Sequence, residues 1–224
     1  MGLVLLVRHG QASFGADDYD VLSEAGFEQS RVLGASLAAT GIEPDAVLHG
    51  AMRRQRDTAS AMVEGGGWAL GTIVDEGWNE FDHLGVVARG LESLDDADRA
   101  ALDDRRGFQR AFEAATARWY GGAHDAEYDE PWPAFVARVD VALARACGRD
   151  GTTVVVSSGG PIAVACAMLV DPDASATELP RLWRHLNTVT VNAAVTRILV
   201  GSSGSRLLTF NEHAHLSRDL VTYR

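Results

Sequence analysis

A chain of 224 residues with 46% hydrophobic residues is long enough and apolar enough to bury a core, either as one large domain or as a core domain with an insertion. Its 31 acidic residues against 20 basic ones give a net charge of -11, which argues against general binding to nucleic acid or to an anionic membrane. Every basic side chain is arginine; without lysine, a Walker-type phosphate loop and Schiff-base chemistry are excluded, and any bound phosphate must be held by guanidinium groups.

Residues 3 to 10, LVLLVRHG, read as a fully buried strand that stops on Arg8, His9 and Gly10. Open α/β sheets bind ligands at the carboxyl ends of their strands, so a cation, an imidazole and a glycine at that edge point to an anion site holding a nucleophile or a base. A loop with Asp17, Asp18 and Asp20 follows and is read as a solvated acidic segment. Ser23 is placed as the N-cap of a helix over 24–39, with Leu33 and Leu37 on its buried face and Gly41 as its stop. A short strand over 46–49 then runs into HGAMRRQRDTA, which opens a second helix reaching about residue 63, with Gly65, Gly66 and Gly67 as a loop. Two arginines early in a helix are disfavoured by its dipole, so at least one must face something negative.

Residues 72–74 are expected as a third strand running into EGWNEFDHLG. The stretch 91–148, rich in Ala, Asp, Glu and Arg, reads as a helical insertion over the strand ends, and its last helix spans 134–146. Residues 152–156 form a central strand leading into SSGGP, and Pro161 falls in the first turn of a helix to about residue 170. Residues 188–200 and 206–210 read as strands joined by a turn at 201–205. Alternating strands and helices predict an α/β three-layer sandwich, a single domain over 1–224 in which a mostly parallel sheet carries helices on both faces. Cys147 and Cys166 match no metal or redox spacing and are taken as core or helix residues. The N-terminal apolar run is too short for a signal h-region and no basic residue precedes it, so a cytoplasmic protein is expected.

Several motifs occur in a familiar order: Arg8-His9-Gly10, the arginine-rich helix start ending in Thr58-Ala59, Asn79-Glu80 ahead of Gly85, Phe135 with Arg138-Val139, and Asn211 with His215-Leu216. Together they resemble the histidine phosphatase (phosphoglycerate mutase-like) superfamily over nearly the whole chain. The resemblance implies that His9 is the nucleophile that becomes phosphorylated, that Arg8 and Arg54 grip the phosphoryl oxygens, and that Glu80 is the general acid. Arg54 is preferred to Arg53 because it stands four residues before Thr58, as the family pattern requires. The chemistry agrees: phosphoryl transfer depends on positioning and charge neutralisation, and flanking guanidinium groups disfavour the imidazolium and so keep a lone pair on His9.

One position departs from the family pattern. Ser158, in Ser157-Ser158-Gly159, stands where the second family histidine is expected, which removes an imidazole donor to the phosphoryl group. Loss of one such donor costs roughly 100- to 1000-fold in rate by analogy with other anion holes. Serine can still donate a neutral hydrogen bond, and the N–H groups of Gly159 and Gly160 at a helix N-terminus can hold an oxygen. His49, at the end of its strand, is a candidate replacement for the imidazole, and Gln11, next after the Arg-His-Gly tripeptide, is counted among the substrate-binding residues.

Less functional roles are assigned elsewhere. Arg53 and Arg56 are read as surface side chains, and His213 and His215 as structural hydrogen-bonding groups rather than metal ligands. His83, His124 and His185 carry no assignment. The tryptophans are read as packing, with Trp78 and Trp132 at the expected pocket mouth.

Three functions follow as expectations: a phosphomonoester hydrolase, a bisphosphoglycerate-dependent mutase, and a phospholigand-binding protein with weak or lost turnover. The absence of any cation between Gln11 and Ser30 favours hydrolysis over a mutase that must retain a polyanionic cofactor. No metal or organic cofactor is implied, because arginine takes the role that magnesium plays elsewhere. The expected partner is a small phosphorylated substrate, with no nucleic acid and no membrane.

Overall fold

The computed structural model describes residues 2–13, 20–92 and 105–223. It is an α/β fold built on a six-stranded sheet in the order β3-β2-β4-β1-β5-β6. These strands are β1 (Gly2–Arg8), β2 (Ala46–His49), β3 (Thr72–Val74), β4 (Thr152–Ser157), β5 (Val195–Gly201) and β6 (Gly204–Glu212). β1, β2, β3 and β4 run parallel, while β5 and β6 are antiparallel additions beside β1. The parallel strands can be near-continuous apolar runs because both of their faces are covered. Leu5 and Val7 of β1 and Val154 and Val156 of β4 share one cluster with Leu33 and Leu37 of α1 (Glu24–Ala39) and with Ala59 and Met62 of α2 (Arg53–Gly66). Val4, Leu6 and Val155 point the other way and are equally buried. On that face α6 (Gly159–Val170) lies against β1 and β6, and α7 (Glu178–Val189) packs on α6.

The first helix begins as expected: the Ser23 hydroxyl accepts from Gly26 N at 3.1 Å, and Gly41 follows its end with φ 79°. Two expectations fail on local detail. Gly65 and Gly66 belong to α2, which ends at Gly67 in the left-handed conformation (φ 65°), so only the last of the three glycines acts as the stop. The strand expected from residue 188 begins only at Val195, because residues 178–189 form the amphipathic helix α7, which buries Trp183.

The chain divides into two compact units, Met1–Glu80 with Val139–Arg224, and Phe81–Arg138. The second unit starts earlier and ends earlier than the expected 91–148. Helix α3 (His83–Glu92) already belongs to it, whereas Val139, Ala142 and Ala146 of α5 (Trp132–Cys147) are fully buried in the first unit. Within the second unit, α3 packs against α4 (Arg105–Tyr120) around an aromatic cluster. Phe81 stacks on Trp119 at 4.6 Å between centroids, and Trp132 meets Trp119 edge-on at 5.2 Å. Trp132 thus packs this cluster, and Trp78 is completely buried in the first unit; neither has the exposure of a pocket-mouth residue. Among the described residues no helix is long and apolar enough to cross a membrane.

Candidate active site

The candidate residues gather at the carboxyl edge of β1 and β4. In register, Arg8 pairs with Ser157, and His9 N donates to Ser157 O at 2.8 Å, which sets His9 and Ser158 side by side at the ends of neighbouring parallel strands. Gly10 can turn the chain there because it has no side chain: a Cβ would come within 2.4 Å of Gly26 O, so the loop after β1 and the first turn of α1 touch backbone to backbone. Gly10 N donates to Thr58 Oγ1 at 2.9 Å, and Thr58 donates back to Arg54 O at 2.8 Å. This pair of bonds is the physical content of the four-residue spacing between Arg54 and Thr58: it ties α2 to the loop after β1.

His9 is 4% exposed. Its Nδ1 lies 2.7 Å from Gly10 O, so the ring proton sits on Nδ1 and the Nε2 lone pair remains. Arg54 Nε donates to that Nε2 at 3.2 Å. Burial, then the Arg54 guanidinium, then that of Arg8, hold the imidazole well below its usual 6.5. The ring is therefore neutral at physiological pH, with its unprotonated nitrogen facing a cation.

Asp20 engages Arg54 from the other side. Its carboxylate accepts from Arg54 Nη1 at 2.7 Å and from Arg53 N at 2.8 Å, capping a helix whose own N-cap residue, Met52, offers no side-chain acceptor. The negative partner that the paired arginines demanded is thus a residue of the acidic loop. Asp20 is not the solvated side chain expected, whereas Asp17 and Asp18 lie outside the described residues. Arg53 and Arg56 instead pair with Asp57 at 3.5 and 3.0 Å on the helix surface.

Arg8 Nη1 donates to the carbonyls of Thr190 and Tyr223. Glu80 accepts from Gly160 N at 3.2 Å, at the N-terminus of α6. A Cβ on Gly159 would lie 3.9 Å from Arg8 Nε, so the start of α6 approaches β1 closely. Ser158 is 1% exposed and accepts from Gln55 Nε2 at 2.9 Å.

Two expected residues are held elsewhere. His49 Nδ1 is bonded to Gly50 O at 2.7 Å and its Nε2 to Thr72 Oγ1 at 3.2 Å, so its ring serves the β2–β3 edge and is not brought to His9. Gln11 Oε1 accepts from the Ser23 hydroxyl at 2.9 Å, so this side chain braces the start of α1. His213 and His215 bond to Asn211 O and Ala193 O, and among the described residues no cluster of His, Cys, Asp or Glu could hold a metal ion. The thiol of Cys166 is buried and pushed up to about 12 by desolvation, as suits a core residue. Sequence reasoning missed Gln55 altogether: an amide beside a run of arginines carries no local signal of being buried. Asp20 was foreshadowed only by the unfavourable charge at the start of α2.

A six-stranded α/β sheet with a neutral histidine and an arginine joined at its strand ends defines the class. The family model described as histidine phosphatase superfamily (branch 1) matches residues 4–213, and the chain belongs to that superfamily. A 2,3-bisphosphoglycerate-dependent phosphoglycerate mutase from Methylobacterium sp. (strain 4-46) is 33% identical over 119 residues, a match that spans 50% of this chain and 56% of that protein. Among solved structures, a phosphoserine phosphatase variant from Entamoeba histolytica in complex with phosphoserine has a TM-score of 0.66 at 16% identity, covering 97% of this chain and 100% of that one. A putative alpha-ribazole-5'-P phosphatase from Escherichia coli gives 0.65 at 20% identity with coverage of 97% and 100%. A mycobacterial glucosyl-3-phosphoglycerate phosphatase complexed with VO3 gives 0.61 at 22%, with coverage of 95% and 100%. At these identities the structural likeness speaks for the fold alone.

Proposed function

We propose that this protein is a phosphomonoester hydrolase that acts on a small phosphorylated metabolite through a phosphohistidine on His9. The observation that carries the reading is the state of His9, whose Nδ1 is committed to Gly10 O while Nε2 keeps its lone pair against Arg54 Nε. In the first step Nε2 attacks phosphorus and the ester P–O bond breaks, with Glu80 giving its proton to the leaving oxygen. In the second step water attacks phosphorus, the N–P bond breaks, and Glu80 takes the proton from that water. Arg54 and Arg8 neutralise charge on the phosphoryl oxygens throughout. The Gly160 N–H at the start of α6 is engaged by Glu80, which supports this reading by holding the general acid at the same strand edge.

The partial match to a mutase favours a second reading, bisphosphoglycerate-dependent phosphoglycerate mutase activity. Against it stand the sequence over 11–30, which carries no cation, and Asp20, which places a carboxylate on Arg54. Both features suit a substrate of low charge rather than a retained polyanion. In this reading neither nucleic acid nor membrane is a partner, and the enzyme works in the cytoplasm.

The deciding experiment incubates purified protein with p-nitrophenyl phosphate and a panel of small phosphoesters, then quenches it to trap acid-labile phosphate. Release of inorganic phosphate together with label on His9 is the expected result. Phosphoglycerate interconversion that depends on bisphosphoglycerate would establish the mutase instead. Tight vanadate binding without turnover would reduce the protein to a phospholigand-binding role.

A further inference from the structure

Ser158 is the N-cap of α6, with extended backbone (φ -111°, ψ 173°), a position from which serine ordinarily bonds back to the N–H groups of its own helix. It does not do so here. Its oxygen instead accepts from Gln55 Nε2 at 2.9 Å, and the same amide nitrogen donates to Trp78 O at 3.2 Å. Because a backbone carbonyl only accepts, Trp78 O fixes which end of the Gln55 amide faces inward, and that end is the N–H donor. The carbonyl is itself anchored by the Ser157 hydroxyl at 2.8 Å.

A serine hydroxyl has one proton to give. With Gln55 donating to its oxygen, that proton points away from Gln55, and it has no acceptor among the described residues. What lies at this edge is the phosphoryl site of the proposed reaction: Ser158 is the register neighbour of His9, and Gly159 approaches Arg8 Nε. Two consecutive residues of α2 thus reach two adjacent strand ends, Arg54 to His9 and Gln55 to Ser158.

The surroundings are shaped around this amide. A Cβ on Gly50 would come within 2.1 Å of Gln55 Oε1 and 2.8 Å of Asn79 Oδ1, so the side chain fits only because residue 50 has none. Gln55 is completely buried, and its Oε1 has no hydrogen-bond partner among the described residues. A leucine or methionine there would fill space without leaving a buried carbonyl oxygen unpaired. The cost of that unpaired oxygen is explained if the N–H end has a task.

On the phosphatase reading above, we propose that Gln55 is a positioning residue that orients the Ser158 hydroxyl as a dedicated donor to the phosphoryl group on His9, replacing the second family histidine with a neutral pair. Neither the amide nor the hydroxyl titrates near neutrality, so this donor works at any pH the fold tolerates.

The test measures vanadate affinity and kcat/KM for p-nitrophenyl phosphate in wild type, Q55M, S158A and the double variant, with thermal melting as the check on folding. Each single variant is expected to lose about tenfold or more in both quantities, and the double variant to lose no more than S158A alone. An active wild type with Q55M unchanged, or losses that multiply in the double variant, would overturn the proposal while leaving the phosphatase reading intact. A wild type that neither turns over nor binds vanadate overturns both. Should Q55M fail to fold, Q55E serves in its place. Its ionised carboxylate accepts the hydrogen bond of the Ser158 hydroxyl and turns that donor away from the phosphoryl site, so vanadate affinity is expected to fall near neutral pH and to recover as the pH is lowered and the carboxyl becomes a donor. A Q55E affinity that tracks wild type across that range overturns the proposal.

Discussion

Arg54 Nε donates to His9 Nε2 at 3.2 Å, between residues 45 apart in the chain. The cation sits on the nitrogen that would attack phosphorus, so it does two things at once: it keeps the imidazole unprotonated, and it waits where a phosphoryl oxygen would arrive. Arg54→Ala is expected to lower kcat/KM by about 100-fold or more. The same change is expected to raise the His9 pKa towards 6.5, because one of the charges that depresses it is gone. Steady-state kinetics and an NMR titration of the ring read the two effects separately; a fall in rate with an unmoved His9 titration would break the link between them.

The state of His9 also couples stability to pH. In the unfolded chain His9 takes up a proton as the pH falls through about 6.5, while the buried ring, whose pKa is lowered, stays neutral further down. Below about pH 6.5 the unfolded state therefore binds more protons, and stability present at higher pH is lost as the pH falls. Urea unfolding of wild type and His9→Asn between about pH 8 and about pH 5 should show wild type losing up to about 1.4 kcal/mol per pH unit relative to the variant below 6.5. Parallel pH profiles would show that the ring is not shielded as described.

Asp20 competes with any oxyanion for Arg54. Asp20→Asn keeps a side-chain oxygen for the N–H groups at the start of α2 but removes the negative charge. Vanadate is expected to bind several-fold more tightly to this variant, with the largest gain in kcat/KM for substrates that carry a second anionic group. Isothermal titration and a comparison of phosphoserine with p-nitrophenyl phosphate check this, and weaker vanadate binding would contradict it.

Thr58 holds the loop after β1 to α2. Thr58→Val preserves shape but leaves the buried N–H of Gly10 without its 2.9 Å acceptor. The expected loss is about 1 to 3 kcal/mol of stability, the cost of an unsatisfied buried donor. Denaturant midpoints measure it, and the rate should fall as well because His9 and Arg54 are no longer tied together.

Much of this was legible in order along the chain. Runs such as Leu3–Val7 and Val154–Val156 are apolar at consecutive positions, which only a strand covered on both faces accommodates, and Ser23 caps α1 through an atom three residues away. The motif around His9, Arg54 and Ser158 was visible for the same reason, since each piece is short and sits at the end of a recognisable element, whereas Glu80 stands beyond β3, past the 3-10 turn Glu76–Trp78. Signals of short range failed at residues 178–189, where the polar spacing of a helix ran into a threonine- and valine-rich stretch, and at Gly65 and Gly66, where a helix continued through two glycines before stopping at the third.

What lies across the sheet had no such trace. That His49 serves Thr72 rather than His9, that Asp20 reaches Arg54, and that Gln55 finds Ser158 from 103 residues away all depend on the strand order β3-β2-β4-β1. The residues by themselves determined which elements form and which side chains stand at their ends, because caps, turns and burial periodicity act over a few positions. Which of those ends meet was decided by strand pairing, whose hydrogen bonds join segments that nothing local in the chain relates.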